Sequence, residues 1–198
     1  DALIPYLRGA EADADMRAAQ VSAIREAFEE CGILLAREAG SDDIISGARL
    51  AELQSAREPM NKGDIPLLDF LQNEKLELAC DTLTHFAHWI TPPMMPKRFD
   101  THFYLAIPPE DHIAVHDGYE SVDSVWIDPA EAIAGADSGK YTIIFPTLRN
   151  IEKLATWSTP EAAVEAAKST TPIPVLPWTE KREDGQYLCI PVEAGYAI

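Results

Sequence analysis

Three carboxylates, Glu26, Glu29 and Glu30, stand at positions i, i+3 and i+4 within Arg25-Glu26-Ala27-Phe28-Glu29-Glu30-Cys31-Gly32-Ile33. At about 100° per helical residue they share an arc of about 100°. Ile24, Phe28, Cys31 and Leu35 fall on the opposite side. Like charges at this spacing repel by a few tenths of a kcal/mol per pair. A hard divalent cation with oxygen ligands relieves that repulsion, and the chemistry it brings is charge neutralisation of an anionic substrate. Three glutamates on a helix more often form a solvated face. Here Arg25 precedes the first, Gly32 follows the last pair, and Ala27 and Ile33 supply apolar residues at fixed places.

That combination, R-E-U-x-E-E-x-G-U with U apolar, resembles the core of the Nudix box, the signature of metal-dependent hydrolases that cleave nucleoside diphosphates linked to another moiety. The resemblance implies Mg²⁺ or Mn²⁺ held by Glu26, Glu29 and Glu30, with Arg25 orienting a glutamate through a salt bridge. It also implies a further carboxylate downstream, as metal ligand or general base. Glu120 is the candidate, six residues before Trp126 in Glu120-Ser121-Val122-Asp123-Ser124-Val125-Trp126-Ile127-Asp128-Pro129, with Asp123 its competitor. The implied catalytic set is Glu29, Glu120 and Arg25.

Arg98-Phe99-Asp100-Thr101-His102-Phe103-Tyr104-Leu105 resembles a segment of the Nudix-19-type branch, which includes coenzyme A diphosphatases. His88-Trp89-Ile90-Thr91-Pro92 and Phe145-Pro146-Thr147 agree with it. The implied substrate is a small diphosphate such as coenzyme A or acyl-CoA. ADP-ribose- or NADH-like diphosphates, or a non-catalytic module that binds a nucleotide metabolite, are the alternatives. Lys97 and Arg98 are the local cations for a substrate phosphate. Asp100 is expected to fix the local turn or pair with Arg98, and the five histidines show no metal-ligand spacing. The full box opens with Gly and then Glu, where this chain has Glu11 and Arg17. The branch carries an insertion there, so its first strand and Gly-rich start are expected before Asp1.

The chain has 198 residues, 46% of them hydrophobic and 25% charged, which fits one globular domain over 1–198. A net charge of −17 argues against nucleic acid as a partner. No apolar run approaches the length of a membrane span. Three cysteines without metal-ligand spacing read as reduced thiols of a cytoplasmic protein, monomer or homodimer.

The elements that must position these residues alternate between helix and strand, an α/β or α+β class with a mixed sheet; the resemblance makes it an α/β/α sandwich. The carboxylate helix and its lead-in span 10–38, capped by Asp13 or Asp15 and ended at Gly40-Ser41. Residues 41–74 read as a helical insertion, opened at Asp42 or Ser46, broken at Pro59 and Gly63, and restarted at Asp64. Strands are expected over 76–91, 99–107 and 120–127, then a helix from Pro129. Residues 146–198 form a C-terminal extension. Its helices run to 168, with Thr159 as a cap, and a hairpin turns near Asp184-Gly185.

Overall fold

A computed structural model describes residues 1–118 and 123–197. The described chain forms two units, one made of Asp1–Leu83 and Ala106–Val125, the other of Thr84–Leu105 and Trp126–Ile198.

The first unit is organised by α1, Ala14–Cys31. The Asp13 carboxylate accepts from the backbone N–H of Asp15 and Met16, both at 3.0 Å, which satisfies two of the helix's orphan donors. The helix stops well before the expected Gly40, because Gly32 adopts a left-handed conformation (φ 72°) and closes the last turn. Leu35 is buried as expected, but it lies beyond the helix, and Cys31 is only partly buried. Ile24 and Phe28 are the apolar residues that the helix itself buries.

The chain then forms β1 (Ala36–Glu38), α2 (Gly47–Leu53), α3 (Arg57–Asn61), α4 (Leu67–Glu74) and β2 (Leu76–Leu78). β1 and β2 pair antiparallel. Ser46 rather than Asp42 caps α2. Pro59 does not break a helix: it lies in the first turn of the short α3, where the missing N–H is tolerated. α4 opens after Pro66, with no side-chain cap from Asp64. Phe28, Leu34, Leu50, Phe70, Leu71, Leu76 and Leu78 fill this unit's core, and the Phe28 and Phe70 rings stack with centroids 5.7 Å apart.

In the second unit β3 (Thr84–Ile90) is central, antiparallel to β4 (Asp100–Leu105) on one side and parallel to the later β5 on the other. Around this mixed sheet follow α5 (Pro129–Asp137), α6 (Phe145–Leu154), α7 (Pro160–Lys168), β5 (Pro174–Val175) and the hairpin of β6 (Trp178–Arg182) and β7 (Gly185–Cys189). Asp128 and Thr159 cap α5 and α7 with their side chains. Trp89 anchors the core: its indole N–H donates to the Tyr196 hydroxyl at 2.9 Å, and that hydroxyl donates to Asn150 at 2.7 Å. The expected strand over 120–127 is not formed where it is described. Asp123–Ile127 is irregular, and Trp126 is 74% exposed.

Candidate active site

The C-terminal half of α1 carries the box. Glu29 is only 5% exposed, although it belongs to the carboxylate face of the helix. Its charge is met by Arg25 one turn earlier, whose Nη1 lies 2.5 Å from Glu29 Oε2. The same guanidinium reaches the exposed Glu26 at 3.3 Å through Nη2. Arg25 therefore holds two of the three box carboxylates at once, and the expected salt bridge is present. Glu30, one turn after Glu26, is half-buried.

Two elements close around the end of this helix. Arg57 donates to the carbonyl oxygens of Glu29 (3.1 Å), Glu30 (3.0 Å) and Val115 (2.8 Å). A cation there complements the negative end of the helix dipole. Partial burial lowers the Arg57 pKa, and the Asp117 charge opposes that shift. The segment 109–118 is tied down beside it. Val115 N–H donates to Cys31 O at 2.8 Å, Gly47 N–H donates to Asp111 Oδ2 at 2.6 Å, and His112 Nε2 meets Ile45 O at 2.8 Å. A Cβ on Gly47 would stand 2.2 Å from the Asp111 carbonyl oxygen, so this close approach requires glycine.

Between these parts lies a cavity of about 350 Å³, lined by Glu29, Gln54, Arg57, Lys62, His116 and Asp117 among others. Its cations, Arg57 and Lys62, come from the helical insertion, which the sequence presents only as scaffold. The cue available was their position at the two ends of an Arg-Glu-Pro-Met-Asn-Lys run that lacks a continuous apolar stripe. The expected phosphate-binding cations belong to the second unit. Lys97 lies over the Phe99 ring at 4.9 Å, and Arg98 donates from Nε to Thr91 O at 2.9 Å. Asp100 pairs with His88 rather than with Arg98.

The expected downstream carboxylate, Glu120, lies outside the described residues, and its competitor Asp123 accepts from the N–H of Ser124. The box supplies an all-oxygen carboxylate set suited to a hard dication. Its described carboxylates do not draw three ligand atoms within 4.8 Å of one another. Among the described residues that spacing is met by His88, Asp100 and His102.

The arrangement of box helix, clamping arginine and mixed α/β fold defines a Nudix hydrolase. The family model described as the NUDT19 Nudix domain matches residues 9–154, and the chain belongs to that family. It is 27% identical over 161 residues to the Caenorhabditis elegans protein that carries the name nudix hydrolase 7, an alignment covering 79% of this chain and 51% of that protein. The chain thus spans about half the length of the curated relative. A crystal structure of a Nudix hydrolase from Alicyclobacillus acidocaldarius is similar at a TM-score of 0.59 and 26% identity, covering 84% of this chain and 72% of that one. Nudix hydrolases generally use divalent metal cations and act on small-molecule substrates. No described helix is long and apolar enough to cross a membrane.

Proposed function

We propose that this chain is a metal-dependent diphosphatase. It hydrolyses the diphosphate bond of a nucleoside diphosphate derivative, coenzyme A or an acyl-CoA, to two phosphate-bearing products. The carrying observation is Glu29, buried at the wall of a cavity and clamped by Arg25. A carboxylate in so dry a position, beside two others on the same helix face, suits a hard cation and not a solvated face.

In this reading Glu26, Glu29, Glu30 and Glu120 hold Mg²⁺ or Mn²⁺. An ion held there would supply neutralisation of the phosphoryl oxygens and activation of water. Arg25 fixes the Glu29 and Glu26 carboxylates, and Glu29 or Glu120 takes the proton from the attacking water. Lys62, ion-paired with Glu58 at the same cavity, is a cation that a phosphate can share there, while Lys97 and Arg98 are the substrate-binding cations of the second unit. Reduced thiols in the cytoplasm complete the reading.

Glu30→Gln, titrated with Mg²⁺ against a panel of diphosphates, tests it. Hydrolysis is expected to fall by several orders of magnitude with the fold intact. Formation of 3′,5′-ADP and phosphopantetheine by the unaltered protein supports coenzyme A. Efficient cleavage of ADP-ribose with none of coenzyme A rejects that substrate, and tight nucleotide binding without turnover rejects the enzyme.

A further inference from the structure

The second unit gathers four ionisable side chains on one face of its sheet, none of them used by the proposed reaction. His88 and His102 are direct cross-strand partners on β3 and β4, and their rings stack with centroids 4.0 Å apart and planes 20° apart. Asp100 lies two residues before His102 and so shares its face. Its Oδ1 contacts His88 Nε2 and stands 4.0 Å from His102 Nε2.

His85 reaches this face through an irregularity. In a regular ladder the pairing of His88 with His102 would set Phe86 opposite Tyr104 and turn His85 to the other face. The register shifts between His85 and Ala87, so His85 pairs with Tyr104 instead. Phe86 and Ala87 are both buried in succession, as a bulge requires. The His85 Nε2 then lies 3.1 Å from His102 Nδ1.

We propose that His88, Asp100 and His102 form a site for a divalent first-row transition-metal ion of the zinc class. One ligand atom from each of the three residues lies within 4.8 Å of the others, and Nε2 of His88 and Nε2 of His102, the nitrogens that face the Asp100 carboxylate, are assigned as the imidazole ligands. Ligand atoms about 2.0–2.2 Å from a tetrahedral zinc stand about 3.3–3.6 Å apart, so closure needs side-chain adjustment only. Two imidazoles and one carboxylate select such an ion over Mg²⁺, which prefers oxygen and water. Three protein ligands would leave a coordination position for water or substrate, and Asp100, whose side chain is 64% exposed, gives the site access to solvent. His85 holds the site from behind. With His102 Nε2 on the metal, His102 Nδ1–H donates to His85 Nε2, which fixes tautomer and ring orientation as second-layer partners of zinc histidines do.

The site is independent of the proposed diphosphatase, and the experiment keeps the two apart. Zn²⁺ is titrated calorimetrically into the folded chain in excess Mg²⁺, which occupies oxygen-only sites. One Zn²⁺ per chain is expected. Affinity should fall at least about 100-fold in His88→Ala and in His102→Gln, the latter keeping a polar side chain so that the sheet is spared. His85→Asn should weaken it about 10- to 100-fold, the range for lost second-layer partners. Glu30→Gln should leave it unchanged. Absence of stoichiometric binding, or binding that survives both histidine substitutions and vanishes in Glu30→Gln, overturns the proposal.

Discussion

Arg57 grips the end of the box helix: its Nη2 lies 3.0 Å from the carbonyl oxygen of Glu30. The residue that completes the helix terminus thus comes from the insertion, 27 positions later in the chain. Since the same guanidinium also bonds Glu29 and Val115, it joins the carboxylate helix to the segment that leads toward Glu120.

Arg57→Ala should destabilise the protein by about 2–4 kcal/mol: three carbonyls lose a charged donor, each such bond being worth about 1.5–3 kcal/mol, and the sum is cut because the guanidinium is partly exposed and water can replace part of it. Arg57→Lys should recover only part of this, since a point cation cannot span the three acceptors. Urea unfolding measures both. An unchanged midpoint for Arg57→Ala would show that water replaces the guanidinium without cost.

Removal of Arg25 leaves the Glu29 charge almost dry and without its partner. Arg25→Ala should cost about 1–3 kcal/mol, less than a fully buried pair because Arg25 itself is partly exposed. Glu29→Gln made in the same background should return part of that loss. A double-mutant cycle with no coupling would refute the clamp.

Gly47→Ala should lower stability by about 1–3 kcal/mol through overpacking against the Asp111 carbonyl. Ser46→Ala, next to it, removes only a helix cap, worth about 1 kcal/mol. If thermal denaturation ranks Ser46→Ala as the more damaging of the two, segment 109–118 yields easily to the added methyl.

Burial, reinforced by the adjacent Asp81 charge, pushes the Cys80 thiol up to about 11. In the unfolded chain the thiol ionises near its ordinary value of about 8.5. Between these values the folded state holds more protons, so stability must fall as pH rises. This contribution is fully present below about pH 8.5 and is lost as pH rises through about 11. Unfolding free energies across that interval should decline less steeply in Cys80→Ala; equal slopes would refute the assignment.

The box was legible because its function is written in local spacing: Glu26, Glu29 and Glu30 share a helix face whatever packs nearby. The helix end was misplaced at Gly40, because the apolar Leu34-Leu35 pair imitates continued helix, and only the left-handed backbone at Gly32 decides the matter. The burial of Glu29 was not legible. It depends on α3 covering one flank of α1, a long-range contact that helical periodicity cannot express. For the same reason Lys62 went unnoticed while Lys97 and Arg98 stood out. The histidine cluster is harder still, since it rests on the register of two strands. The Phe86-Ala87 doublet between His85 and His88 was its one local sign.

The extra residue in β3 acts as a vernier on this ribbon. Deleting that position would leave a regular ladder with His85 still opposite Tyr104, whereas straightening the strand at its full length would pair Phe86 with Tyr104 and turn His85 inward, the His88–His102 stack being kept. What braces the paired imidazoles is therefore the pairing of His85 with Tyr104, which a relative can reach either with this bulge or with one residue fewer between 85 and 88.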